Sequence, residues 1–123
     1  MKLLDPALLI LFTAIVGCTT TPSAVPADPS YATDVQSIFD NHCVTCHGKS
    51  TPQAGYSLAS RAGVLGNGSD TVPNVIPNSA DSSKLYRKIT GVETPQMPLG
   101  QAPLDTAKIA TIRNWINKGA KDN

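Results

Sequence analysis

A chain of 123 residues has room for one compact domain and little else. Ten Lys and Arg stand against nine Asp and Glu, a balance that excludes the bulk positive field of a nucleic-acid binder or of a protein held to an acidic membrane by charge. Ten prolines and nine glycines beside one Trp, three Tyr and two Phe describe a loop-rich fold with a thin core, the kind that leans on a disulfide, a metal or a buried cofactor.

Residues 1–17 read as an export signal rather than as part of the fold. Lys2 precedes an apolar run from Ala7 to Gly17 that has the length of a signal-peptide core and falls short of the roughly 18 residues needed to span a bilayer. Asp5 and Pro6 depart from the usual positive start. The run ends in Ile15-Val16-Gly17-Cys18, which resembles the lipobox of bacterial lipoproteins. That resemblance implies a lipidated Cys18 at the mature N-terminus and a protein anchored on the periplasmic side of a bacterial membrane. The plainer alternative is an ordinary secretory signal cleaved elsewhere. Residues 18–30 are polar and proline-rich with no hydrophobic period, and read as a tether that could reach roughly 40 Å if extended.

The folded part is expected over residues 31–123 as an all-α domain, because no alternation is long enough for a sheet. Thr33 and Gln36 have capping-box spacing, and Val35, Ile38 and Phe39 share one face of a short helix running into Cys43. Lys49 to Ser79 reads as loop with one helical turn near Ser60–Val64. A second helix is expected from an Asp81 cap, burying Leu85 and Ile89 and stopping at Gly91. The third has Asp105 as cap, a stripe of Ile109, Ile112 and Ile116 beside Trp115, and Gly119 at its end. Phe39 is expected to pack against the Ile112/Trp115/Ile116 face, since a domain this small has one core.

Three cysteines make no simple disulfide framework. Cys43-Val44-Thr45-Cys46-His47 instead has the spacing of covalent haem attachment. Two thiols separated by two residues reach the two vinyl groups on one porphyrin edge, and the adjacent imidazole comes up beneath the iron. A redox Cys-x-x-Cys pair would want a thioredoxin-like alternation of strands and helices. A zinc site would want well-separated ligand pairs, and a structural disulfide would leave His47 without a role. Covalent haem attachment in bacteria takes place outside the cytoplasm, so the motif and the export signal agree. Met97, in Thr94-Pro95-Gln96-Met97-Pro98, lies on an irregular segment ill suited to a core methionine and suits the sixth iron position. His42 is the competing sixth ligand, although its place beside Cys43 favours a solvated or capping role.

The stretch from Thr33 to Ala120 resembles a class I cytochrome c domain and is similar to the haem-binding domains described from planctomycetes. The residues that carry this are the pentapeptide at 43–47, Gly55-Tyr56-Ser57-Leu58, Val75-Ile76-Pro77, Ser83-Lys84-Leu85-Tyr86, Gln96-Met97-Pro98 and the closing run from Ile112 to Ala120. The resemblance implies crossed N- and C-terminal helices, with loops wrapping one haem c per chain. It also implies a hydrogen bond from the proximal imidazole to a proline carbonyl in a Gly-Pro turn. Here only Thr51-Pro52 is on offer, which leaves the acceptor for His47 open.

With iron held by His47 and Met97 the expectation is a non-enzymatic electron carrier, monomeric, serving redox partner proteins and binding no nucleic acid. The alternative is a ligand-binding or peroxidase-like haem with an open sixth site. Lys84, Arg87, Lys88, Lys108, Arg113, Lys118 and Lys121 bias the C-terminal part of the chain to positive charge. They read either as helix faces turned to water or as a docking surface for an acidic partner.

Overall fold

The structure is a computed structural model that describes Gly17 and residues 24–123. The expected signal segment up to Val16 and the candidate lipidation residue Cys18 lie outside the described residues. Helices supply the regular structure: α1 (Gln36–His42), α2 (Arg61–Val64), α3 (Lys84–Thr90) and α4 (Thr106–Asn117). A π turn, Tyr31–Val35, leads directly into α1, and a 3-10 turn covers Gln53–Gly55. Asn67 and Pro73 form an isolated antiparallel bridge, and no strand occurs among the described residues. No described helix is long and apolar enough to cross a membrane.

The first helical segment starts earlier than the Thr33–Gln36 spacing predicts. Ser30 is the cap: its Oγ accepts from the Thr33 amide at 3.4 Å, and Asp34 Oδ2 returns the favour to the Ser30 amide at 2.8 Å. The π turn carries one residue more than an α turn, so the reciprocal acid sits four residues on rather than three. Tyr31 and Ala32, whose amides would otherwise be orphaned at a helix start, donate to Asn123 Oδ1 (2.9 Å) and to the Asn123 carbonyl (3.0 Å). Asn123 thereby closes onto the start of the first helical segment.

Residues 26–30 of the expected tether also belong to the folded body. Pro29 is fully buried, Asn114 Nδ2 donates to the Pro26 carbonyl at 2.9 Å, and Lys121 pairs with Asp28 at 3.2 Å. Composition alone reads this stretch as linker, because its partners, Asn114, Lys121 and Asn123, lie at the other end of the domain sequence.

One core joins the elements. Phe39, Ile112, Trp115 and Ile116 have no exposed surface, and Val35, Val64, Leu85 and Ile89 fill in around them. The Tyr31 and Trp115 rings lie 5.3 Å apart at 38°, and α4 packs against both the Tyr31–Val35 turn and α3. Asp105 caps α4 as expected, accepting from the Lys108 amide at 2.8 Å. The start of α3 differs. It begins at Lys84, and buried Ser83 turns its Oγ away from the helix to donate to the Ser79 carbonyl (2.8 Å) and accept from the Ile76 amide (2.8 Å). Asp81 stays in the preceding turn because Ser83 ties the 76–79 loop to the helix instead. Gly91 ends α3 with φ +78°, and a Cβ there would come within 3.0 Å of the Gln96 side chain.

Candidate functional site

The haem-attachment motif is wound as a continuation of α1. The Phe39 carbonyl accepts from the Cys43 amide (2.8 Å) and the Val44 amide (3.0 Å). Next, the Cys43 carbonyl accepts from Cys46 (3.1 Å) and His47 (2.8 Å). Cys43, Cys46 and His47 thus share a single turn. The following loop is laced back onto them, as the Gln53 amide donates to the Cys46 carbonyl (2.9 Å) and the Leu58 amide to the His47 carbonyl (2.8 Å).

That lacing supplies the acceptor which the sequence leaves open. His47 Nδ1 lies 2.8 Å from the carbonyl of Tyr56, not from Pro52. A carbonyl can only accept, so Nδ1 carries the proton and Nε2 is the nitrogen with a free lone pair. An orienting bond of this kind is the usual support of a metal-ligating histidine. Ala54 (φ +53°) and Gly55 (φ +65°) are consecutive left-handed residues, and together they turn the chain so that Tyr56 comes back over the motif. A Cβ on Gly55 would meet Ser69 Oγ at 2.9 Å. Tyr56 is then pinned at its far end, its hydroxyl donating to the Val64 carbonyl at 2.8 Å inside the core. Burial, with the Cys43 thiol next, pushes this phenol well above the usual tyrosine range. Tyr56→Phe is expected to cost about 1–3 kcal/mol, the scale for leaving a buried carbonyl without its donor; denaturant unfolding checks it.

Cys43, Cys46 and His47 share one cavity of about 680 Å³ with Met97, Tyr56, Leu58, Leu85 and Ile89. That volume is within the range of about 300–1,000 Å³ typical of cofactor sites. Met97 arrives from a different part of the chain, on a segment strapped to the end of α3. Its amide donates to the Lys88 carbonyl (3.0 Å), Gln96 Nε2 to the Ile89 carbonyl (3.2 Å) and Lys88 Nζ to the Thr94 carbonyl (2.7 Å). Arg87 (3.1 Å) and Lys88 (3.5 Å) both pair with Glu93, closing the loop. His42 also lines the cavity.

Cys43 and Cys46 are not joined to each other in a disulfide. Cys43 is pushed up to about 11, first by burial and then by the neighbouring Cys46. A thiol of that kind stays protonated at neutral pH, whereas redox-active Cys-x-x-Cys nucleophiles are depressed. Among the described residues no three His, Cys, Asp or Glu side chains converge as a metal-binding group, so the donors present do not make a zinc cage. They do fit a haem: two adjacent thiols, an imidazole whose Nε2 lone pair is free, and a thioether, all on the wall of an apolar cavity of cofactor size. The sequence singles out the same four side chains, and all four line this cavity. What the sequence misses is the Tyr56 carbonyl, which no side chain announces.

Residues 43–98 match the family model described as planctomycete cytochrome C. The match starts at the first motif cysteine and ends one residue past Met97, and it supports a cytochrome c-like domain with haem chemistry. No curated protein and no solved structure matches the chain.

Proposed function

We propose that this domain carries one covalently bound haem c, ligated by His47 and Met97, and acts as a single-electron carrier rather than an enzyme. The observation that carries the reading is the convergence of both thiols, His47 and Met97 on one apolar cavity, with His47 held by the Tyr56 carbonyl. A bound haem would supply one-electron redox chemistry at its iron. Cys43 and Cys46 would hold the group covalently, through thioether bonds to its two vinyl carbons. His47 serves through Nε2, the nitrogen not engaged by Tyr56. Met97 would offer the iron a soft thioether, a donor that favours the ferrous state.

An optical redox titration of the purified protein tests this. A reversible one-electron transition with a six-coordinate spectrum is expected. Ready binding of carbon monoxide by the ferrous protein would replace the carrier reading with a ligand-binding one.

The mature protein is proposed to sit on the periplasmic side of a bacterial membrane, anchored through lipid on Cys18. The support is the apolar run closing on Ile15-Val16-Gly17-Cys18 and the need to attach haem outside the cytoplasm. Lipoprotein acylation adds more than one chain, and stable anchoring takes two such signals. Cys18→Ser is therefore expected to move haem-loaded protein to the soluble fraction or leave it unprocessed. Wild-type protein recovered wholly soluble on fractionation would remove the anchor.

A further inference from the structure

The two cations that close α3 meet at one acid. Arg87 Nη2 lies 3.1 Å from Glu93 Oε2, and Lys88 Nζ lies 3.5 Å from Oε1. All three side chains are about one-third exposed or less, so water and salt screen these pairs less than open surface ones. Lys88 grips the loop twice more, through its ammonium on the Thr94 carbonyl (2.7 Å) and through its own carbonyl, which accepts from the Met97 amide (3.0 Å). The Glu93 amide in turn donates to the Arg87 carbonyl at 3.0 Å. Burial does little for this loop: Val92 is 77 % exposed, and Met97 is only partly buried against the core. The loop that carries Met97 is therefore held by polar contacts, and Glu93 is the one charged residue between Val92 and Met97.

We infer that Glu93 is a positioning residue for Met97: by drawing Arg87 and Lys88 together at the end of α3, it fixes the 92–97 loop and keeps the thioether in place against competing ligands. The inference rests on the reading of Met97 as the sixth ligand. Among the described residues Glu93 is the one acid that pairs with either cation. Without its carboxylate, Arg87 and Lys88 are neighbouring like charges with nothing to offset them, and Lys88 is left with the Thr94 carbonyl alone. The backbone bonds at Glu93 and Met97 persist, so the loop keeps its path but opens more often. An outside ligand binds the open form only, and its apparent affinity scales with the fraction of that form present.

Imidazole is the probe, titrated into the haem-loaded ferric protein and followed in the visible spectrum. Glu93→Gln, which keeps the shape and removes the charge, is expected to bind it about fivefold more tightly than wild type, the scale of one or two lost pairs. Glu93→Lys, which adds a third cation, should go further in the same direction. In a Met97→Ala background imidazole should bind tightly and Glu93→Gln should add nothing, because the loop then has no ligand to hold. A residue that merely stabilised the fold would not lose its effect in that background. Glu93→Gln binding imidazole as wild type does, or gaining as much in the Met97→Ala background as outside it, overturns the positioning role. Met97→Ala binding imidazole no more tightly than wild type overturns the ligand reading of Met97 instead.

Discussion

Replacing Met97 by alanine is expected to leave the haem covalently attached while opening its sixth position. The proposed thioethers at Cys43 and Cys46 would not involve Met97, and the bonds winding residues 39–47 are made within α1 and its extension. Loss of the side chain also leaves the strap in place. The Met97 amide, Gln96 Nε2 and Lys88 Nζ all donate to backbone carbonyls, and alanine keeps the amide. The variant should therefore fold, retain haem and differ in the ligand alone. Water or carbon monoxide should enter, the reduction potential should fall, and some adventitious peroxidase activity should emerge. The sign follows from ligand softness, since the thioether is the group that favours ferrous iron. Visible spectra, potentiometry and carbon monoxide titration check the three effects. Wild-type spectrum and potential in the variant would make Met97 a loop residue and return attention to His42, which lines the same cavity.

What could be read from the sequence divides along a physical line. Side-chain pattern located residues that the fold brings to one cavity, Cys43, Cys46 and His47 by their spacing and Met97 by its setting, and Asp105, by its place before an apolar stripe, caps α4. The buried faces of α3 and α4 followed from period alone, and Leu85, Ile89, Ile112 and Ile116 are all buried. Backbone-mediated features were not legible. The Tyr56 carbonyl, the Asn123 groups that cap Tyr31 and Ala32, and the packed 26–30 segment depend on long-range closure, to which local pattern is blind. The misplaced helix starts have the same origin. Ser30 and Ser83 both bond across to other segments, and serine's short hydroxyl serves a distant partner as readily as its own helix. Part of the basic run beyond Lys84 meets acids that are remote in sequence, Asp70 for Lys84 and Asp28 for Lys121.

The core prediction ties stability to the site. Phe39→Ala is expected to destabilise the haem-loaded protein by about 3–5 kcal/mol, the cost of deleting a large buried aromatic and leaving a cavity. Phe39 has no exposed surface and shares its core with Ile112, Trp115 and Ile116, so little around it can collapse without moving α4. Its carbonyl meanwhile accepts both the Cys43 and Val44 amides, which makes the last turn of α1 a joint between core and haem motif. Backbone that shifts to fill the cavity would drag the first thiol with it. Denaturant unfolding should therefore show a lowered midpoint, and haem attachment during maturation should fall in the same variant. Phe39→Leu, which keeps most of the volume, should recover much of both losses. A stability change below about 1 kcal/mol for the alanine variant, the scale of a peripheral site, would place Phe39 outside the main core. It would also break the proposed link between packing and haem attachment.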